Sequence, residues 1–473
     1  MFISRFFEPK LAQTSYLIGC PGAKAALVID PHRDVEQYIA AAAAQGARIT
    51  HVTETHIHAD FCSGARELAA RTGAQLLLSG EGGPDWQYAF AAADGARLLK
   101  DGDQFTIGRV GIEVVHTPGH TPEHLTFLIT DLANAAEPLA AATGDFVFVG
   151  DVGRPDLLEK AANMQGTMEV GARQLWASLE AFRGRPDWLQ IWPGHGAGSA
   201  CGKGISAIPQ STLGYERRFN WAFQCKTEAE FVAAVLAGQP DPPVYFAEMK
   251  RLNKTGPRVL GGFTRPPQGT LADLTAALAS GARVVDMRSS AEFASGAVPG
   301  TLNVPMNGSF TTWMGWLMPY TDDIFLIGDA GTVDQAVKDL AMIGLDRIGA
   351  WFEPAIIGAW PAASNRPLSH VPQIGVADLV ESLKHGAVTV IDVRHLNEWS
   401  AGHIDGAAHI PLGRLEGRLA EIPREKPVVM QCQGGARSMI GASILKAHGF
   451  DRVINLQGGY GGWAGAGLPT TTK

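Results

Sequence analysis

Two groups of residues in this chain have the types and spacing of reactive chemistry. The first is spread over four short patches. These are 'THIHADF' (Thr55–Phe61), with His56, His58 and Asp60; 'HTPGHTPEH', with His116, His120 and His124; 'TGD', ending at Asp145; and 'PGHG', with His195. Neutral imidazole and ionised carboxylate are donors that Zn(II), Mn(II) or Fe(II) accept. One loop histidine is as often a capping or packing residue as a ligand, but four such patches in one chain specify a metal site. Phe61 follows Asp60 directly, and a phenyl ring cannot bind a metal.

The second group is 'CQGGARS', Cys432 to Ser438, placed between the strand-like 'PVVMQ' and a helical run. A cysteine there is surrounded by the loop amides of Gln433, Gly434, Gly435 and Ala436 and faces a helix N-terminus. Both stabilise a thiolate or persulfide anion. Arg437 adds positive charge, and the glycines allow the backbone to approach closely. A cysteine opening such a loop, with an arginine five residues on, points to anionic sulfur or a phosphate ester.

These residues need strands and loops to bring them together. In the first half, 'AALVID', 'ITHVTET', 'AQLLLSG', 'GIEVVHTPG', 'LTFLIT' and 'LAAATGD' read as strands; 'VEQYIAAAAAQG' and 'CSGARELAARTG' read as helices. The His and Asp clusters fall at strand ends and in the loops beyond them, where α/β proteins place their sites. The second half contains an internal repeat. 'VVDMRSSAEFASGAVPGTLNVP', from Val284, aligns with 'VIDVRHLNEWSAGHIDGAAHIP', from Val390, at an offset of 106. Each copy alternates helical and short β-branched runs, the pattern of an open, mostly parallel sheet. The copies differ where the cysteine stands. By the loop the offset has moved to 103, which puts Asp329 of 'GDAGTVD' opposite Cys432, with no arginine matching Arg437, so the middle copy is expected to be catalytically silent, a spacer between its neighbours. The expected boundaries are 1–245, a linker rich in Gly, Pro and Arg over 246–268, a middle copy over 269–363 and a last copy over 364–473.

Bulk properties exclude several classes. With 473 residues, 18% charged and 46% hydrophobic, the chain is globular and multidomain. A net charge of -8 argues against nucleic acid as a partner. Five widely spaced cysteines without a CxxC pair suit a reducing compartment. 'LIGC' (Leu17–Cys20) looks like a lipoprotein box, but 'EPKLAQTSY' precedes it in place of an apolar run. No run is long enough to span a bilayer, so a soluble cytoplasmic protein without a membrane partner is expected.

The order of the four metal patches resembles the metallo-β-lactamase fold superfamily, over about residues 1–240. The resemblance implies an αββα sandwich. In two-metal members the 'HxHxDH' stretch ends in a ligand histidine, and Phe61 removes it here, which implies one metal. Among one-metal members the chain is most similar to the persulfide dioxygenases, whose iron ligands correspond to His56, His120 and Asp145. Two imidazoles and one carboxylate leave open positions for a persulfide and O₂. On this resemblance His58, Asp60 and His195 orient ligands or water, or are vestiges of a second metal site. Arg154 and Asp156 in 'GRPD' match the pair that clamps a glutathione carboxylate or amine. The segment with Cys432 resembles the rhodanese family, which implies transfer of sulfane sulfur among thiosulfate, persulfide and thiol, and two rhodanese-like parallel α/β domains in all. The implied activity is Fe(II)-dependent oxidation of a low-molecular-weight persulfide to sulfite and thiol, coupled to sulfur transfer through Cys432. Zn or Mn suits the same donors. A glyoxalase-II-like thioester hydrolase and a non-enzymatic persulfide carrier are the competing readings, and a homo-oligomer is open.

Overall fold

The computed structural model describes residues 1–157, 159, 166–239 and 241–472. It divides into two compact units, Met1–Phe263 with Leu340–Gly344, and Thr264–Asp339 with Leu345–Lys473.

The first unit carries two six-stranded sheets. One is ordered β1 (Phe2–Glu8), β2 (Gln13–Cys20), β3 (Ala25–Ile29), β4 (Arg48–Thr53), β5 (Gln75–Ser79), β6 (Arg97–Leu99). The other contains β7 (Gln104–Ile107), β8 (Val110–His116), β9 (Leu125–Asp131), β10 (Ala140–Gly144), β11 (Gln190–Pro193) and β12 (Ser211–Thr212), also as neighbours in chain order. Strand alternation explains why β2 is buried along its whole length. Tyr16 and Ile18 enter the core between the sheets, with Phe127 and Trp192. Leu17 enters the core beneath two helices, with Tyr38 and Leu68. A third core seats Leu175, Leu179 and Phe182 of the helix Thr167–Phe182 on Leu128, Ala141 and Ile191 of the second sheet. These cores define the expected helix–sheet–sheet–helix sandwich.

The segment 246–268 is not linker throughout. Phe246–Thr255 is a helix with Phe246 and Met249 buried, because apolar residues recur there at helical spacing. Its Asn253 donates to the carbonyls of His58 (2.8 Å) and Phe61 (2.7 Å) and accepts from the Ser63 amide (2.9 Å), which clamps the 'THIHADF' loop.

The second unit contains two sheets built mainly of parallel pairs. The middle repeat supplies β13 (Arg283–Asp286), β14 (Leu302–Asn303), β15 (Ile324–Ile327) and β16 (Ile348–Phe352), in spatial order β14-β13-β15-β16. The last repeat supplies β17 (Gln373–Ile374), β18 (Thr389–Asp392), β20 (Ala408–His409), β21 (Val428–Gln431) and β22 (Val453–Leu456), in order β20-β18-β21-β22-β17; β19 (His403–Ile404) pairs separately with β23 (Thr470–Thr471). The shared order matches the duplication. Register corrects one alignment. Asp286 pairs with Ile327 as Asp392 pairs with Gln431, so Gly328, not Asp329, stands at the position of Cys432. The middle repeat is two residues longer between these strands, which moves the offset from 106 to 104, and the match at 103 overshoots by one residue. Asp329 instead caps the following helix, accepting from the Thr332 amide (3.0 Å) and hydroxyl (2.7 Å).

Candidate metal centre and sulfur site

The donors converge from the ends of β4, β10 and β11 and from the β8–β9 loop. The donor atoms of His56, His120 and Asp145 all lie within 4.8 Å of one another, and all three side chains are buried. Hydrogen bonds fix which ring nitrogens face inward. The Thr55 hydroxyl donates to Asp30 Oδ2 (2.9 Å) and so accepts from His56 Nδ1 (2.9 Å), leaving His56 Nε2 without a partner. His120 Nδ1 donates to the Arg154 carbonyl (3.0 Å), which turns its Nε2 toward Asp145 Oδ2 at 3.4 Å. Both Asp145 carboxylate oxygens lack a hydrogen-bond partner. Two buried, unpaired carboxylate oxygens facing imidazole lone pairs are costly unless a cation joins them. The donor set therefore fits a divalent metal. Gly144 makes the approach of β10 possible: at φ +47 a Cβ would lie 2.5 Å from the Thr55 hydroxyl oxygen.

Protonation is consistent with this arrangement. Burial pushes His56 and His120 below the ordinary histidine range. Burial pushes Asp145 up, but His195 and His120 outweigh it and hold the carboxyl below its usual value.

The other histidines divide into separate roles. His58 Nε2 bonds Asp30 Oδ1 (3.1 Å), and its ring packs 4.3 Å from that of Phe61. His124 Nε2 accepts from the Asp145 amide (3.1 Å), which holds the backbone of that residue. His116 Nε2 donates to the Pro122 carbonyl (2.7 Å) within its own loop. Asp60 and His195 are brought together, 3.2 Å apart, and Cys201 completes a second buried group of donors within 4.8 Å. In the sequence Cys201 is one of five scattered cysteines and belongs to none of the four patches. Its only signal was its place six residues beyond His195 in 'PGHGAGSAC'. Burial, then Asp60 and Asp145, push its thiol well above the ordinary range.

Arg154 and Asp156 engage each other. Both are buried, joined by two bonds of 2.7 Å, and Arg154 also donates to the Ala200 carbonyl (3.2 Å). A guanidinium so engaged braces the loop that carries Cys201.

In the last repeat Cys432 directly follows β21 and opens the short loop that leads into the helix Ala436–Ala447. The Gly435 amide donates to its Sγ (3.1 Å), and the Ser438 hydroxyl lies 3.5 Å away. Arg437 forms two 2.7 Å bonds to Glu398. Gln433 is exposed, and its carbonyl accepts from the Gly461 amide (2.9 Å). A cavity of about 490 Å³ opens over Cys432, lined by Gly434, Ala436, Arg437 and His395 and, from the middle repeat, by Asn307, Ser309, Thr312 and Trp313. The middle repeat therefore supplies part of this cavity's lining.

A sandwich with an imidazole–carboxylate centre at its strand ends, followed by a cysteine loop on a parallel sheet, defines the class: this chain belongs to the metallo-beta-lactamase superfamily and carries a rhodanese-like domain. The superfamily profile matches residues 9–195, and that of the Rhodanese-like domain matches residues 376–466. A metallo-beta-lactamase from Staphylococcus aureus subsp. aureus COL superposes with a TM-score of 0.69 at 42% identity, covering 75% of this chain and 99% of that one. Persulfide dioxygenase ETHE1, mitochondrial, of Bos taurus is 30% identical over 166 residues, 34% of this chain and 59% of its own length. Hydroxyacylglutathione hydrolase of Rhodospirillum rubrum is 32% identical over 181 residues, 38% of this chain and 60% of its own length. The chain thus spans about three-fifths of these two curated relatives. Among the described residues, no helix is long and apolar enough to cross a membrane.

Proposed function

We propose that this chain oxidises a low-molecular-weight persulfide with O₂, giving sulfite and the free thiol, and moves sulfane sulfur through Cys432. The balance is RSSH + O₂ + H₂O → RSH + SO₃²⁻ + 2H⁺. The observation that carries the reading is the three-donor group His56, His120 and Asp145, with Phe61 packed on His58 where two-metal relatives place another ligand. Iron held by these donors would keep positions open for O₂ and a sulfur ligand and supply the redox chemistry. The protein's own contribution is orientation. Thr55 and the Arg154 carbonyl fix the two imidazoles, and the His124 contact fixes Asp145. At the second site, the Gly435 amide and the N-terminus of the following helix stabilise the sulfur anion on Cys432.

A second reading, hydrolysis of a glutathione thioester, is favoured by one observation. Asp60, His195 and Cys201 form a further donor group beside Asp145 that could hold another metal. One experiment separates the two. Purified protein is analysed for metals and offered glutathione persulfide and a glutathione thioester. Bound iron with O₂ uptake on the persulfide is expected. Zinc with thioester cleavage and no O₂ uptake would replace the first reading by the second.

A further inference from the structure

The two repeats of the second unit differ most where they face the Cys432 cavity. Between equivalent strands the middle repeat is two residues longer than the last one, and there it forms the α-helix Phe310–Leu317. The last repeat has only the 3₁₀ turns Leu412–Arg414 and Glu416–Glu421 in that place. Asn307, Ser309, Thr312 and Trp313 of this longer segment line one side of the cavity. The segment is held against the last repeat. Trp313 stacks on His395, with centroids 6.3 Å apart and planes 16° apart. Trp316 packs so closely on Gly413 that a Cβ there would lie 2.2 Å from its ring. The Asn303 amide donates to the Ser443 hydroxyl (2.9 Å), and Arg283 to Glu416 (2.6 Å). The repeat without a sulfur loop of its own thus completes its neighbour's site.

The lining says what this wall would bind. It offers a carboxamide, two hydroxyls and an indole, and no charged side chain. Opposite it, the Arg437 guanidinium is engaged twice by Glu398. Neutral donors and acceptors beside an apolar face suit amide groups better than a doubly charged sulfur oxyanion, and a volume of about 490 Å³ accommodates a molecule of tripeptide size. We propose that the middle repeat is the binding wall for the thiol that takes sulfane sulfur from Cys432, and that this thiol is a small one bearing peptide-type amides. The proposal rests on the sulfur-transfer reading of Cys432. In the step, the acceptor thiolate attacks the outer sulfur of the Cys432 persulfide. A new S–S bond forms, the Sγ–S bond breaks, and its electron pair remains on Cys432 as thiolate. The acceptor has already lost its proton to solvent, and no oxidant is consumed.

The test uses the full chain. Cys432 is loaded with thiosulfate, whose outer sulfur it attacks with release of sulfite, and loading is read as the gain of one sulfur by intact mass. The persulfide is then discharged with glutathione or with cyanide, which is too small to span the cavity. Trp313→Ala and Asn307→Ala should raise the KM for glutathione about tenfold, the loss of one good contact. The KM for cyanide should change far less, so that the ratio of the two KM values rises. Asn307 is exposed, so its variant folds even if that of the buried Trp313 does not. An unchanged glutathione KM in Asn307→Ala and any folded Trp313 variant would overturn the proposal. So would equal slowing toward glutathione and cyanide, which would mean that the wall only props the loop. Failure of the wild-type chain to load would overturn the sulfur-transfer reading itself.

Discussion

The ring of Phe61 packs 4.3 Å from the imidazole of His58, both fully enclosed, while the inward donors of His56, His120 and Asp145 gather without either. Phe61 thus takes a position next to the metal-binding loop and spends it on packing. Phe61→His restores a donor there. Elemental analysis should show metal content rising toward two per chain, the added ion sharing Asp60 and His195. Content that stays at one would show that residue 61 does not set the count.

The contact from Asp30 through the Thr55 hydroxyl to His56 Nδ1 leads to a second prediction. Thr55 donates to Asp30 and accepts from His56, so it fixes the tautomer that leaves Nε2 free. Thr55→Val keeps the shape and removes the hydroxyl. Such outer contacts typically contribute about 10–100-fold in metal affinity. Competition with a chelator should show a loss of that size in the purified variant, with little change in secondary structure by circular dichroism. Unchanged affinity would mean that the loop backbone alone positions His56.

Much of this architecture was legible in the sequence because it rests on local patterns. Alternating apolar runs gave the strands that carry the donors, and 'HxHxD', 'HTPGH' and 'TGD' marked the residues that meet. What escaped depends on tertiary neighbours. Cys201 looks like any small buried residue until its loop folds back on Asp60 and His195. That Arg154 and Asp156 bond each other in the interior is likewise a tertiary fact, which their separation of two residues permits without requiring. The position equivalent to Cys432 was misread because an offset counts residues, whereas strand register counts pairs. The wall over Cys432 was not legible, since no pattern in 'NGSFTTWMGW' says which cavity it faces.

That wall depends on a missing side chain. At Gly413 a Cβ would lie 2.2 Å from the Trp316 ring, which leaves no room for even a methyl group. Gly413→Ala should destabilise the second unit by about 1–3 kcal/mol, the usual cost of overpacking. It should also weaken glutathione binding at Cys432. Thermal denaturation and the discharge assay measure the two effects. Adding Trp316→Leu should recover much of the stability by making space. If the single variant melts like wild type, the two repeats do not pack as described.

Joining an oxidation site and a transfer site in one chain raises the effective concentration of the shared intermediate when one site can pass it to the other. Asp145→Asn and Cys432→Ser each disable one site in the full-length chain. An equimolar mixture of the two variants, given thiosulfate and thiol, should then take up O₂ more slowly than wild type at equal site concentration, since only the oxidation site consumes O₂. The gap should close as protein concentration rises. Equal rates at every dilution would show that the persulfide travels only through bulk solution.

The last prediction concerns a carboxylate that supports the metal loop without touching the metal donors. Glu123 is buried, and its Oε1 accepts from the Ile57 amide (2.7 Å). Burial raises its pKa from 4.5 to about 7. Between those values the folded protein keeps a proton that the unfolded chain has lost. Stability therefore falls as pH rises from about 4.5 to about 7 and levels off above that, once both states are ionised. Glu123→Gln keeps an acceptor for Ile57 and cannot ionise. In metal-free protein the variant should gain stability over wild type progressively across that window and hold the full gain at pH 8. Thermal melts of both proteins between pH 5 and 8 measure the difference. A gap that does not change with pH would mean that Glu123 stays ionised in the fold and that a neighbouring cation, with Lys250 closest in effect, compensates its burial.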